Sequence, residues 1–177
     1  MRLRIIAGEF RSRLLKTVPG DDTRPTPDRL REALFNVLTP VIEGAVFVDA
    51  YAGTGAVGIE ALSRGASHAI FLERNRAALD LIRENLASLK LEYRATVVAG
   101  PVLLTLERRR GHIVFLDPPY SQEREYGAAL ELLGADPPSL TIAQHSKRFE
   151  LAEEYGLLRR KRVVKQGDNA LSFFGPE

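Results

Sequence analysis
From residue 45 onward the chain alternates between short apolar runs and longer stretches with helical periodicity. The runs are Ala45-Val46-Phe47-Val48, Ala69-Ile70-Phe71-Leu72, Ala95-Thr96-Val97-Val98, Ile113-Val114-Phe115-Leu116 and Leu140-Thr141-Ile142-Ala143. Each is too short for a helix and shows no in–out alternation, which is how a strand reads when both its faces are covered. The clearest stretch between them carries Leu79, Ile82, Leu86 and Leu89 on one helical face. Strand, helix, strand, helix in this order predicts a doubly wound, Rossmann-like α/β fold, with a mostly parallel sheet and helices on both faces. Near the end the rhythm changes. Residues 162–165 and 170–174 flank Gln166-Gly167-Asp168-Asn169, which reads as a closing antiparallel hairpin.

The first 44 residues have a different character. Leu3, Ile5 and Ala7 alternate with Arg2, Arg4 and Ile6, Gly8 marks a bend, and Leu14-Leu15 begins a second extended stretch. This predicts a β-hairpin over residues 1–20 with arginines on one face. Pro19-Gly20-Asp21-Asp22 reads as a loop. A helix follows, with Thr26 as its cap, Pro27 in its first position, and Leu30, Ala33, Leu34, Val37 and Leu38 as its buried stripe; Pro40 is expected to stop it. At 177 residues the chain suits a single domain, with residues 1–20 as an extension and 24–177 as the core.

Composition excludes several chemistries. There is no cysteine, and the three histidines, His68, His112 and His145, form no ligand-spaced group, so no metal centre is expected. No apolar run is long enough to cross a bilayer, and no signal-peptide core follows Met1, so a cytoplasmic protein without membrane partners is expected. The net charge is only +2, but Arg2, Arg4, Arg11, Arg13 and Lys16 face a single acid, Glu9, within the first sixteen residues. Arg24, Arg29 and Arg31 follow. A basic end on a nearly neutral chain points to an anionic partner, most simply nucleic acid. Arg29 or Arg31 could instead pair with Asp28 or Glu32 along the helix surface.

Two motifs carry chemistry. In the first, Val48-Asp49-Ala50-Tyr51-Ala52-Gly53-Thr54-Gly55-Ala56-Val57-Gly58, a strand enters a glycine-rich turn and a helix leaves it. Glycines admit a ligand to the backbone, and a helix N-terminus offers free N–H groups. Glu73, twenty residues after Gly53, ends the next strand, where a carboxylate can accept from ribose hydroxyls. A dinucleotide and S-adenosylmethionine both fit so far. Asp49 favours the second, because a carboxylate repels a pyrophosphate and attracts an ammonium. In the second motif, Asp117-Pro118-Pro119-Tyr120 follows the fourth strand, at the sheet edge where such folds bind ligands. An exocyclic base amine is a poor nucleophile because its lone pair is delocalised into the ring. The Asp117 carboxylate and the Pro118 carbonyl can accept its hydrogens and free that pair. Pro119 stiffens the loop, and Tyr120 offers a ring for a base to stack on.

Asp49-x-Tyr51-x-Gly53-x-Gly55, Glu73 and Asp117-Pro118-Pro119-Tyr120 together resemble the motif set of class I amino-group methyltransferases. Residues 2–8, Arg24-Pro25-Thr26-x-Asp28-Arg29-x-Arg31-Glu32-x-Leu34-Phe35, and Gly58-x-Glu60-Ala61-Leu62-Ser63-Arg64-Gly65-Ala66 resemble bacterial 16S rRNA guanine-N2 methyltransferases of the small ribosomal subunit. The resemblance implies a seven-stranded sheet with an N-terminal extension, S-adenosylmethionine as cofactor and guanine N2 in 16S rRNA as target, presented on an assembled or assembling 30S particle. It implies Asp117, Pro118, Pro119 and Tyr120 as catalytic residues, and Asp49, Tyr51, Gly53, Thr54, Gly55, Glu73, Arg74 and Gly100 around the cofactor. Arg11, Arg13, Arg24, Thr26, Arg29 and Arg31 would hold RNA, and a monomer is expected. Ala99-Gly100-Pro101 departs from the Asp or Asn that many relatives place there to meet the adenine amine. Competing readings are a DNA adenine-N6 methyltransferase, for which 177 residues leave little room for target recognition, an NAD-dependent oxidoreductase, and a non-catalytic RNA-binding assembly factor.

Overall fold
A computed structural model describes residues 2–18, 26–119 and 121–177. Arg24 and Tyr120, both named above as site residues, and the loop expected at 19–22 lie outside the described residues. The five apolar runs form parallel strands β1 (Val46–Ala50), β2 (His68–Glu73), β3 (Ala95–Ala99), β4 (Ile113–Leu116) and β5 (Leu140–Ser146). Helices α2 (Ala56–Ser63), α3 (Arg76–Ser88), α4 (Val102–Leu106) and α5 (Glu123–Ala135) connect them. The tail forms β6 (Glu154–Tyr155), β7 (Leu158–Gln166) and β8 (Asn169–Pro176), with β8 antiparallel to β5. The order is β3-β2-β1-β4-β5-β8-β7-β6. The described residues thus form eight strands instead of seven. The addition is β6, whose two residues are too few for a pattern to reveal.

Each face of the sheet has its own core. Phe35, Phe47, Phe71, Phe115 and Phe173 pack with α1 (Asp28–Ile42), α2 and α3 on one side. Val48, Leu116, Tyr126, Leu130 and Phe174 pack with α4 and α5 on the other. Both faces of the central strands are therefore buried, which is why their sequences show no alternation. The chain leaves β1 toward β2 and β3 and then returns to place β4 on the other side of β1. At that reversal the connections diverge to opposite faces and open a crevice beyond the strands' carboxyl ends.

Three expectations at the N-terminus need correction. Residues 3–15 fold back on themselves, but the hairpin amounts to one antiparallel bridge, Arg4 to Leu14, flanked by bonds from Ile5 N to Arg13 O and from Leu15 N to Leu3 O. The backbone at its bend is bound by α2 instead. Glu60, wholly buried, accepts from Ile6 N and Ala7 N at 2.9 and 3.1 Å, and Ser63 Oγ accepts from Phe10 N at 3.0 Å. Gly8 is required there: its φ is 89°, and a Cβ would fall 2.0 Å from the Ser63 carbonyl oxygen. Thr26 is not the cap of α1. Pro27 holds that position without a side-chain bond, and the Thr26 hydroxyl goes elsewhere. Pro40 lies inside α1, two residues before its end. A proline there removes one N–H, which the last turn can lose without breaking.

Candidate functional site
A cavity of about 810 Å³ opens at the switch point, within the usual ~300–1,000 Å³ of small-molecule sites. Its residues come from the carboxyl ends of all five parallel strands. Asp49 is on β1, with Tyr51, Gly53 and Thr54 just beyond it. Glu73 ends β2, followed by Arg74; Asp117, Pro118 and Pro119 follow β4; Gln144 lies on β5. Pro101, Val102 and Leu103 beyond β3, with Thr26, Gln122 and Glu125, add to the wall. Two expected cofactor residues do not line it. Gly55 (φ 81°) turns the chain into α2, where Phe71 and Ile82 close over it. Gly100 (φ 139°) bonds its N–H to the Glu73 carbonyl and leaves the wall to Pro101, Val102 and Leu103.

The glycine turn is built by three left-handed residues in five positions: Tyr51 (φ 62°), Gly53 (φ 57°) and Gly55. Tyr51 is the costly one, since a side chain in that region is strained by about 1–2 kcal/mol. Its hydroxyl donates to Glu125 Oε2, which secures it against α5. The hydroxyl's proton is held more tightly than usual, by burial first and then by its bond to Glu125. At Gly53 a Cβ would meet nothing within 4 Å, so the backbone lies open to the cavity. At Gly58 the opposite holds: a Cβ would fall 2.3 Å from the Phe71 ring, so this glycine serves the packing of α2 on β2.

Besides Glu125, which the Tyr51 hydroxyl engages, three carboxyl groups share the cavity. Glu73 accepts from Gly53 N on one oxygen and from Arg74 N and Asn75 N on the other, at 2.8–2.9 Å. Asp49, 2% exposed, accepts from Gly58 N at 2.9 Å. Its pKa is nonetheless raised well above the carboxylate range, by burial first and then by the charges of Asp117 and Glu73. Asp117 is half-buried, and enclosure by protein pushes its pKa up to about 7. No hydrogen bond or ion pair from the described residues engages its carboxyl group. Such an acidic wall suits a cationic ligand and opposes a pyrophosphate. An open glycine backbone, an acid ending β2, and acids facing the centre fit S-adenosylmethionine, whose ammonium and sulfonium are both positive.

The arginines divide. Arg11, Arg13 and Arg29 are exposed, although Arg13 also donates to the Ser88 carbonyl at 3.3 Å. Arg31 is fully buried, donating to Asp28 at 2.9 Å and to the Arg4 carbonyl at 2.7 Å. It cannot reach a phosphate, and its expected RNA contact is withdrawn in favour of the helical ion pair. Burial lowers its pKa, and the charges of Glu60 and Asp28 oppose that. Among the lining residues not expected from the sequence are Glu125 and Gln144, the second because it continues an apolar run. Among the described residues no His, Asp and Glu group could hold a metal, and no helix is long and apolar enough to cross a membrane.

The switch-point cavity and the doubly wound sheet define a class I, S-adenosylmethionine-dependent methyltransferase. The chain belongs to the family described as "Conserved hypothetical protein 95", whose model matches residues 3–175. It is 35% identical to YlbH of Bacillus subtilis, over 97% of this chain and 98% of that one. It is 42% identical to ribosomal RNA small subunit methyltransferase D of Escherichia coli, over 67% of this chain and 61% of that protein. The solved structure of yhhF from Escherichia coli superposes with a TM-score of 0.86 at 31% identity, covering 100% of this chain and 99% of that one.

Proposed function
We propose that this protein transfers a methyl group from S-adenosylmethionine to the exocyclic N2 amine of a guanine in 16S rRNA. It acts in the cytoplasm as a monomer, with the whole chain as one catalytic unit, on an assembled or assembling 30S particle. The observation that carries the reading is Asp117: a carboxyl group at the end of β4 with no partner among the described residues, in the same cavity as the open glycine turn. The relatives named as rRNA methyltransferases favour RNA over the DNA, NAD and non-catalytic readings.

When bound, S-adenosylmethionine supplies an electrophilic methyl group at a positive sulfonium centre. Gly53 would admit it to the backbone, Glu73 would accept from its ribose hydroxyls, and Asp49 would face its positive end. Asp117 and the Pro118 carbonyl accept the two amine hydrogens, which frees the nitrogen lone pair and fixes its direction. Methylation leaves a surplus proton on that nitrogen. A carboxyl group titrating near 7 suits its removal at neutral pH. Arg11, Arg13 and Arg29 hold phosphates.

The test compares 16S rRNA from cells with and without the protein by mass mapping of methylated nucleotides. One guanine is expected to lose its N2 methyl and to regain it with the wild-type gene but not with Asp117→Ala, while the purified variant keeps its cofactor affinity. An unchanged methylation map would overturn the reading.

A further inference from the structure
The carboxyl edge of the sheet sets a linear order. Reading across from β3, it presents Pro101, then Glu73, then Asp49 with Gly53, then Asp117, then Gln144. Leu116 pairs with Ala143, so Asp117 and Gln144 stand level on adjacent strands. The glycine turn and Glu73 occupy one side of Asp117. The acceptor nucleotide is left the other side, where the side chains of Gln144 and Thr26 form the wall.

Gln144 is unusually constrained for a polar residue on a ligand cavity. It is 3% exposed. Its carbonyl accepts from the buried Tyr126 hydroxyl, and its strand is paired on both sides, with β4 and with β8. Thr26, 8% exposed, donates its hydroxyl to Gln144 Oε1 at 3.3 Å. The amide oxygen is thereby occupied. The amide nitrogen has no partner among the described residues, yet it is not one of their sealed, unpaired polar atoms. Gln144 lines this cavity, and with its oxygen engaged by Thr26 the N–H₂ is the end of its amide left to a ligand there. The acceptor side of the cavity therefore presents a fixed donor level with Asp117.

We infer that Gln144, oriented by Thr26, is a specificity-determining residue that reads the target base by donating to guanine N3. The inference rests on the guanine-N2 reading above. Guanine N2 is flanked by N1, which carries a hydrogen, and by N3, which carries a lone pair. A donor can pair only with N3. Asp117 and the Pro118 carbonyl take the amine hydrogens, Gln144 takes the neighbouring ring nitrogen, and the base is held at two adjacent points of one edge. Thr26 acts at one remove: without its hydroxyl the amide is free to turn its oxygen toward the base, where it would face the N3 lone pair.

The experiment pairs a protein change with a base change. Wild type and Gln144→Leu are assayed for methyl transfer on 30S particles reconstituted with 16S rRNA carrying guanine or 3-deazaguanine at the target. The analogue replaces N3 by C–H and leaves N2 in place. Gln144→Leu is expected to lower kcat/KM by about 10- to 100-fold, as when one hydrogen bond is lost and an acceptor is left unpaired. The analogue should lower the wild type by a similar factor and Gln144→Leu no further, with cofactor affinity unchanged throughout. Thr26→Val should fall between. Equal rates of wild type on the two substrates would overturn the inference without reference to any variant, so misfolding of Gln144→Leu cannot rescue it. Losses that multiply would overturn it too, by showing that the amide and N3 act separately. If the wild type methylated no guanine-containing particle, the underlying reaction would fail instead, a distinct outcome.

Discussion
Asp117 lines the cavity without a hydrogen-bond or ion-pair partner among the described residues, and its proton affinity follows from that position. With no N–H or cation of those residues stabilising its charge, enclosure pushes its pKa up to about 7. Below that pH it is neutral and cannot accept both an amine hydrogen and a proton; above it the carboxylate is available. The kcat/KM profile, which reports the free enzyme, should therefore rise with pH through a midpoint near 7 and level off above it. Asp117→Asn keeps an acceptor oxygen but can take no proton. Its rate should fall by roughly 10²–10⁴ and the limb near neutrality should vanish; a variant that kept the limb would assign the titration to another group. Stability follows the same sign. The folded state binds this proton more tightly than the unfolded chain, so the group's favourable contribution is complete at low pH and is lost as pH climbs toward 7. Thermal melts should show Asp117→Asn gaining on the wild type between pH 4 and pH 8, by a few degrees.

Among the elements, α2 and α5 carry glycines with opposite roles, and the contrast is measurable. Gly58 faces Phe71 with no space for a methyl group, whereas a Cβ on Gly127 of α5 would meet nothing within 4 Å. In an open helix, alanine for glycine gains about 0.5–1 kcal/mol by restricting the unfolded chain. Gly127→Ala should show that gain in denaturant melts. Gly58→Ala should lose about 1–3 kcal/mol to overpacking, and a stabilised Gly58→Ala would mean that Phe71 swings away freely. Such differences also mark how far the sequence could be read. The strands β1 to β5 were legible because burial on both faces leaves an unbroken apolar run. The glycine turn and Asp117-Pro118-Pro119 were legible because both motifs sit directly at strand ends. Gln144 was not, since its polar amide is fixed by Thr26, 118 residues away in sequence. Arg31 misled for a related reason. It sits among exposed arginines in sequence, but its position on α1 points inward, and Asp28 one turn earlier partners it. Glu60, a carboxylate in an otherwise apolar buried helix, binds the backbone of residues 6 and 7, a pairing that no local pattern encodes.

At the scale of the whole molecule, the net charge of +2 conceals a separation. Carboxyl groups gather inside the switch-point cavity, and arginines gather on the docked N-terminal segment and the outside of α1. Under the proposed function, a cationic ligand and a polyanion would be served by different surfaces. Because Glu60 and Ser63 pin the segment to α2, Arg11 and Arg13 project from a fixed platform, which lowers the entropy lost when they meet phosphates. Each phosphate contact releases counterion, so log K for RNA should fall linearly with log salt, by about 0.7–0.9 per contact. Replacing Arg11 and Arg13 together by alanine should weaken binding to a 16S rRNA fragment and make that slope shallower by about 1.4–1.8, as for two lost contacts. Arg31→Ala supplies the contrast. Its guanidinium is interior, so the expected result is a lower melting temperature with the slope of the remaining folded protein unchanged. Fluorescence anisotropy across a salt series separates the two. An unchanged slope in the Arg11/Arg13 double variant would remove this segment from the RNA interface and shift the search to the exposed cations of β7, Lys161, Arg162 and Lys165, which have no ion pair among the described residues.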